Sequence, residues 1–210
     1  MRALFQVKDL AGLRKALAEN PELANQGIPY DEQNLTKAHP LHRICDGVFS
    51  EVYSDSEAVE IAKIFLEFGA NVDGFPSRPG QDSPLVAAAS LNADKVALLY
   101  IDRGADISHA GTHGGTALHW AAWCGRDILV EKLIQKHADI NKKCEDFKST
   151  PLLWAINGYK FNGGKNIHNQ IQCARILLQA GADKTIANKA GKTPRQLLDD
   201  ADVELIALLT

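Results

Sequence analysis

Two patterns of apolar and polar positions alternate along this chain of 210 residues. The first is a short apolar run opened by a small polar residue or histidine. It appears as His39-Pro40-Leu41-His42-Arg43-Ile44-Cys45, Ser83-Pro84-Leu85-Val86-Ala87-Ala88-Ala89, Thr116-Ala117-Leu118-His119-Trp120-Ala121-Ala122, Thr150-Pro151-Leu152-Leu153-Trp154-Ala155 and Thr193-Pro194-Arg195-Gln196-Leu197-Leu198. The second places apolar residues at helical spacing, as in Ile128, Leu129, Leu133 and Ile134, and closes on Gly-Ala-Asp or a variant of it. Each pattern predicts a helix. A Ser or Thr hydroxyl caps an orphan N–H at the start of the first, and the Pro after it has no N–H to leave unsatisfied. The glycines at 69, 104 and 181 end the second, because glycine takes the left-handed C′ conformation without a Cβ penalty.

The two helices recur together. Ser83 and Thr116 are 33 residues apart and Thr116 and Thr150 are 34 apart, a period that identifies a repeat array rather than a conventional domain. Small alanines on the first helix allow neighbouring helices to approach closely. On these residues the chain resembles the ankyrin-repeat family, and the resemblance extends over essentially its whole length. The fold it implies is an all-α solenoid of about six helix-turn-helix units, at 1–37, 38–81, 82–114, 115–148, 149–191 and 192–210, forming one domain. The first and last units read as abbreviated caps over faces that have no neighbour. In the first, Leu10, Leu13, Ala16 and Leu17 share a helical face and Asn20-Pro21-Glu22 stops the helix.

Two spacings depart from the period: His39 to Ser83 is 44 residues and Thr150 to Thr193 is 43. The surplus is expected in the turns between the paired helices, at 48–56 and 159–169. Phe49 and Tyr53 then lie on one exposed loop, with Tyr159 and Phe161 on the other, available to a partner. A further long turn at 74–80 contains Phe75 between stiffening prolines. His39 occupies the place of the capping Thr, so its cap is expected to be the weakest of the five.

The resemblance implies contact with a protein partner through a concave side built from turn tips and from the first helices just beyond the paired alanines. At matching positions this points to Asp46, Leu91, Trp123, Cys124 and Asn157 on helices and to Thr112, His113 and Phe147 on turns. Trp123 is the expected anchor, since Trp is enriched among residues that dominate binding energy. Trp120 and Trp154 occupy a position that is normally buried, and both are expected in the core. His42 and His119 occupy the motif histidine, which is expected to tie adjacent turns together by hydrogen bonds.

Composition narrows the possible chemistry. A formal charge of −3 and a pI near 6.2 argue against nonspecific nucleic-acid binding, which draws its affinity from Lys and Arg displacing counterions. The acidic cluster at Asp46, Glu51, Asp55, Glu57 and Glu60 and the basic one at Lys142, Lys143, Lys148, Lys160 and Lys165 read as solvated faces. Cys45, Cys124, Cys144 and Cys173 are widely spaced and read as free thiols of a cytoplasmic protein, and residues 1–9 lack the apolar run of a signal peptide. Gly191-Lys192-Thr193 has Ile186 where a phosphate loop needs glycine, and His109 and His113 have no third or fourth zinc ligand nearby. Asn34-Leu35-Thr36 matches a glycosylation acceptor but has no secretory route to modification.

The sequence therefore predicts a monomeric, cytoplasmic protein-interaction module that is not an enzyme, uses no cofactor or metal and engages neither nucleic acid nor membrane. One alternative is an inhibitor or immunity-type protein that blocks a toxin or enzyme. Another, of a different class, is an enzyme or small-molecule binder with a cleft near His113, Trp123 and Cys124.

Overall fold

A computed structural model describes residues 8–30, 36–76, 80–161 and 167–210. The chain divides into two compact units, one of residues 1–78 with 83–106, the other of 79–82 with 107–210. The tripeptide 77–79, the glycosylation match at Asn34-Leu35 and the middle of the second insertion at 162–166 lie outside the described residues. Among the described residues no helix is long and apolar enough to cross a membrane.

The first unit contains α1 (Leu10–Glu19), α2 (Pro40–Phe49), α3 (Asp55–Glu67), α4 (Pro84–Ser90) and α5 (Asp94–Asp102), with a short antiparallel pair, β1 (Ile28–Pro29) and β2 (Lys37–Ala38). Asp9 caps α1 through a bond from the Gly12 N–H, and Leu13 and Leu17 carry its buried face. Ser54 and Glu57 cap α3 reciprocally, satisfying two orphan donors at once. Opening helix stacks on opening helix, α2 on α4, and second on second, α3 on α5. The joint is sealed by buried Leu41, Ile44, Phe65, Leu85 and Tyr100, whose hydroxyl donates to the Leu41 carbonyl at 2.8 Å.

The second unit repeats this plan with α6 (Ala117–Cys124), α7 (Asp127–Gln135), α8 (Pro151–Phe161), α9 (Ile167–Gln179) and α10 (Val203–Leu209). Here α6 packs on α8 and α7 on α9, around Leu118, Leu129, Leu133, Leu152, Leu153 and Leu177. Of the two motif histidines, His119 does what the sequence reading expects, whereas His42 lies 3.9 Å from Asp46 of its own helix. His119 Nδ1 accepts from the Thr116 N–H at 3.1 Å, while Nε2 faces the carbonyls of Lys142 at 3.0 Å and Ser149 at 3.2 Å, joining one hairpin to the next. Burial outweighs those two carbonyl bonds and pushes the imidazole down to about 4.

Two expectations need correction. The surplus is not confined to loops: among the described residues, much of it lengthens the helices themselves. α2 and α3 have 10 and 13 residues and α8 and α9 have 11 and 13, against 7 and 9 in α4 and α5 and 8 and 9 in α6 and α7. Longer helices bury more apolar area per repeat, which a free loop would not. Tyr53 follows the same logic: it is 4% exposed, with its ring lying where a side chain at Gly47 would otherwise go. The helix start at His39 is capped by its imidazole. Its Nδ1 accepts from the Leu41 N–H at 3.2 Å and its Nε2 bonds Asn25 Oδ1 at 3.1 Å, so the ring substitutes for a hydroxyl.

Candidate functional site

In the second unit, Trp120 and Trp123 stand three residues apart on α6 and so share one face of it. Trp154, Asn157 and Phe161 do the same on α8 at spacings of three and four. Two turn tips face these helices. The turn Thr112–Gly114 before α6 presents His113, and the turn before α8 presents Phe147 and Ser149. Together these eight residues, His113, Trp120, Trp123, Phe147, Ser149, Trp154, Asn157 and Phe161, line a cavity of about 380 Å³.

The supports of the cavity are specific. Gly158 lets α8 approach α6, since a Cβ there would run into the Trp123 carbonyl oxygen. That carbonyl in turn accepts from Gln170 Nε2 at 3.0 Å. His113 adopts a left-handed backbone with φ of 60°, a conformation that a non-glycine residue rarely takes. Its carbonyl accepts from the N–H groups of Glu145 at 3.1 Å and Asp146 at 3.3 Å, and its Nδ1 bonds Asp146 Oδ2 at 2.8 Å. The strain is held by three bonds to the next hairpin, and the imidazole is thereby fixed at the rim.

Trp154 is the deepest ring, 4% exposed, and its indole N–H donates to Cys144 Sγ at 3.4 Å. Around it stand Trp120 at 5.0 Å and 79°, Trp123 at 6.0 Å and 73°, and Phe147 at 6.4 Å and 63°, measured between ring centroids and planes. His113 leans on Phe147 at 5.2 Å and on Trp120 at 6.4 Å. Phe147 and Phe161 lie at the mouth, 48% and 73% exposed. Lys160 on α8 is held away by Asp199 at 2.6 Å and Asp202 at 2.9 Å, and these carboxylates raise its pKa. Among the described residues no group of three or more His, Cys, Asp and Glu is placed to hold a metal. Rings dominate the lining, so the site offers stacking and burial rather than proton transfer.

Five of the twelve residues singled out in the sequence meet here: His113, Trp123, Phe147, Asn157 and Phe161. Thr112, Cys124 and Tyr159 belong to the same unit but do not line the cavity; Thr112 instead receives Asp82 Oδ1 on its N–H at 2.7 Å. Asp46, Phe49, Tyr53 and Leu91 belong to the first unit. There Asp46 pairs with Arg43 at 2.6 Å, Phe49 is 60% exposed, Leu91 is half-buried and Tyr53 is in the core. Tyr159 and Phe161 sit on α8 rather than on a loop. Ser149 is also among the turn positions the family resemblance implies, while sequence reasoning placed Trp120 and Trp154 in the core rather than at the site. Trp154 is buried as expected yet also lines the cavity; Trp120 is only half-buried and is a wall rather than core, with an indole nitrogen that is buried and has no hydrogen-bond partner.

A family profile for ankyrin repeats, three copies long, matches residues 53–144. The chain is an ankyrin-repeat protein. Its all-α architecture of stacked helix pairs is that of the family, whose repeats are protein–protein interaction modules. Among similar proteins, neurogenic locus notch homolog protein 1 of Xenopus tropicalis is 31% identical over 136 residues, 64% of this chain and 5% of that one. Ankyrin repeat and SAM domain-containing protein 6 of Rattus norvegicus is 38% identical over 99 residues, covering 46% and 10%. Palmitoyltransferase ZDHHC13 of Mus musculus is 33% identical over 175 residues, covering 82% and 24%. The ankyrin-repeat chain thus spans from a twentieth to about a quarter of the length of these relatives.

Proposed function

We propose that this ankyrin-repeat chain captures a protein partner in the aromatic cavity of its second unit, with Trp123 as the main anchor and Phe147 and Phe161 as the entrance. The observation that carries this reading is the convergence of six rings from α6, α8 and two turn tips on one opening of about 380 Å³. Exposed aromatic side chains gathered around a concavity are what a binding hot spot requires, whereas scattered exposed apolar residues are ordinary. Four free cysteines, three of them buried, fit a reducing compartment, and the reading puts the chain in the cytoplasm as a monomer.

The test compares baits in an extract of the native host: the wild-type chain, Trp123→Ala, Phe161→Ala and Phe49→Ala. Partners retained by wild type and Phe49→Ala should be lost from Trp123→Ala and Phe161→Ala, with affinity reduced by about 2 kcal/mol or more for Trp123→Ala. Thermal midpoints of the four proteins separate binding from folding. Equal retention by all four overturns the assignment of the cavity.

A further inference from the structure

Building on the reading that the cavity docks a partner, we propose that the residue it receives is an arginine of that partner. Among the described residues the lining consists of six rings, Ser149 and Asn157, with no aliphatic side chain. Burial of an apolar anchor gains free energy by area, whether the wall is leucine or tryptophan. The five Trp and Phe rings of the wall add one thing that leucine cannot, an electron-rich face that attracts a cation. Trp154 forms the base, and Trp120, Trp123 and Phe147 stand at 63° to 79° to it with centroids 5.0 to 6.4 Å away. Trp154 is 4% exposed and closes the base, so a cation entering from the mouth meets the half-buried Trp120 and Trp123 and the exposed Phe147 and Phe161, and the attraction operates within about 6 Å of such rings.

Charge points the same way. Among the described residues no lysine or arginine lines the cavity, and Lys160 on α8 is neutralised by two carboxylates. At the rim the Asp146 carboxylate, 57% exposed, is anchored beside His113 by its 2.8 Å bond. Of the two cationic side chains, guanidinium is flat, weakly hydrated and able to stack while it donates sideways to a carboxylate or an amide oxygen. An ammonium stays more strongly hydrated and gives up more on entering a ring-lined site. Asn157 in the lining and Asp146 at the rim supply acceptors suited to the flat fork. A volume of about 380 Å³ lies at the small end of ligand cavities, room for one long side chain and a little of its backbone.

Random peptides displayed on phage are selected on the full chain, and those that also bind Trp123→Ala are removed. Calorimetry then measures synthetic versions of the survivors on wild type, on Trp123→Ala and on Asp146→Asn, with the thermal midpoints of all three proteins separating binding from folding. The expected result is a shared arginine, affinity at least tenfold weaker on Arg→Lys or Arg→Leu in the peptide, and several-fold weaker on Asp146→Asn. Peptides that depend on Trp123 but share a leucine, phenylalanine or proline overturn the arginine and leave the docking site standing. Absence of any Trp123-dependent peptide overturns both. Ethylguanidinium chloride gives an arm free of the library: saturable binding that is at least tenfold weaker in Trp123→Ala is expected, and a linear response up to ~100 mM overturns the proposal.

Discussion

His39 and His119 illustrate how much one buried ring can hold. Each accepts a backbone N–H at a helix start through Nδ1 and bonds a neighbouring hairpin or turn through Nε2, which requires the neutral form. Burial pushes both pKa values from 6.5 to about 4, with His42 adding to the effect at His39. Between those two values the unfolded chain binds protons that the folded chain does not, so stability is complete above pH 6.5 and is lost as pH falls towards 4. The slope is about 1.4 kcal/mol per pH unit for each ring. Urea midpoints measured from pH 7 to 4.5 should therefore drop steeply, and less so in His39→Asn; a flat profile down to pH 5 contradicts this account. His137 shows the opposite economy. Gly69, Gly104 and Gly181 end their helices with φ of 84°, 84° and 96°, and His137 takes the matching place with φ of 65°. The exposed ring gains nothing there that a glycine lacks, so His137→Gly should stabilise the protein by about 1 kcal/mol, read as a rise in thermal midpoint.

At the scale of helices, the decisive contact is between α6 and α8. Gly→Ala within a helix ordinarily stabilises by about 1 kcal/mol through propensity alone. At Gly158 the added methyl meets the Trp123 carbonyl, so the two helices must separate, which costs about 1–3 kcal/mol. Gly158→Ala should accordingly lower the thermal midpoint and weaken partner binding together; a stabilised variant with unchanged binding would show that the helices are not in close contact. Helix starts were legible in the sequence because the signal is local: Ser83, Thr150 and Thr193 each sit where a hydroxyl or backbone group is satisfied within three residues. The fate of the surplus residues was not. A period of 43 or 44 residues says how many are added, but helix and loop compete for them through packing that only the neighbours decide. Tyr53 entered the core because Gly47 left space for its ring, a fact with no trace in spacing.

For the molecule as a whole, the sequence revealed the repeat and half of the cavity. His113, Trp123, Phe147 and Asn157 were found because repeat register places them on the exposed side, and Phe161 because it falls in the second insertion, although it lies on α8 and not on a loop. Trp120 and Trp154 were assigned to the core because register carries no information about how bulky a ring is relative to its slot. An indole in a position shaped for leucine extends beyond the buried layer, so the same residue serves as core and as wall. Charge is divided unevenly as well: the first unit has ten basic and fifteen acidic residues, a net −5, and the second has thirteen and eleven, a net +2. An arginine entering the second unit would thus be held by ring faces and by Asp146 at short range, with no long-range field to draw it in.

The chain has three tryptophans, and all three border the one cavity. The first unit has none. Fluorescence excited selectively at the indole band therefore reports on the second unit alone, and within it on the very rings a ligand would cover. The protein carries its own optical probe, unlabelled, at the place where a binding event should be seen.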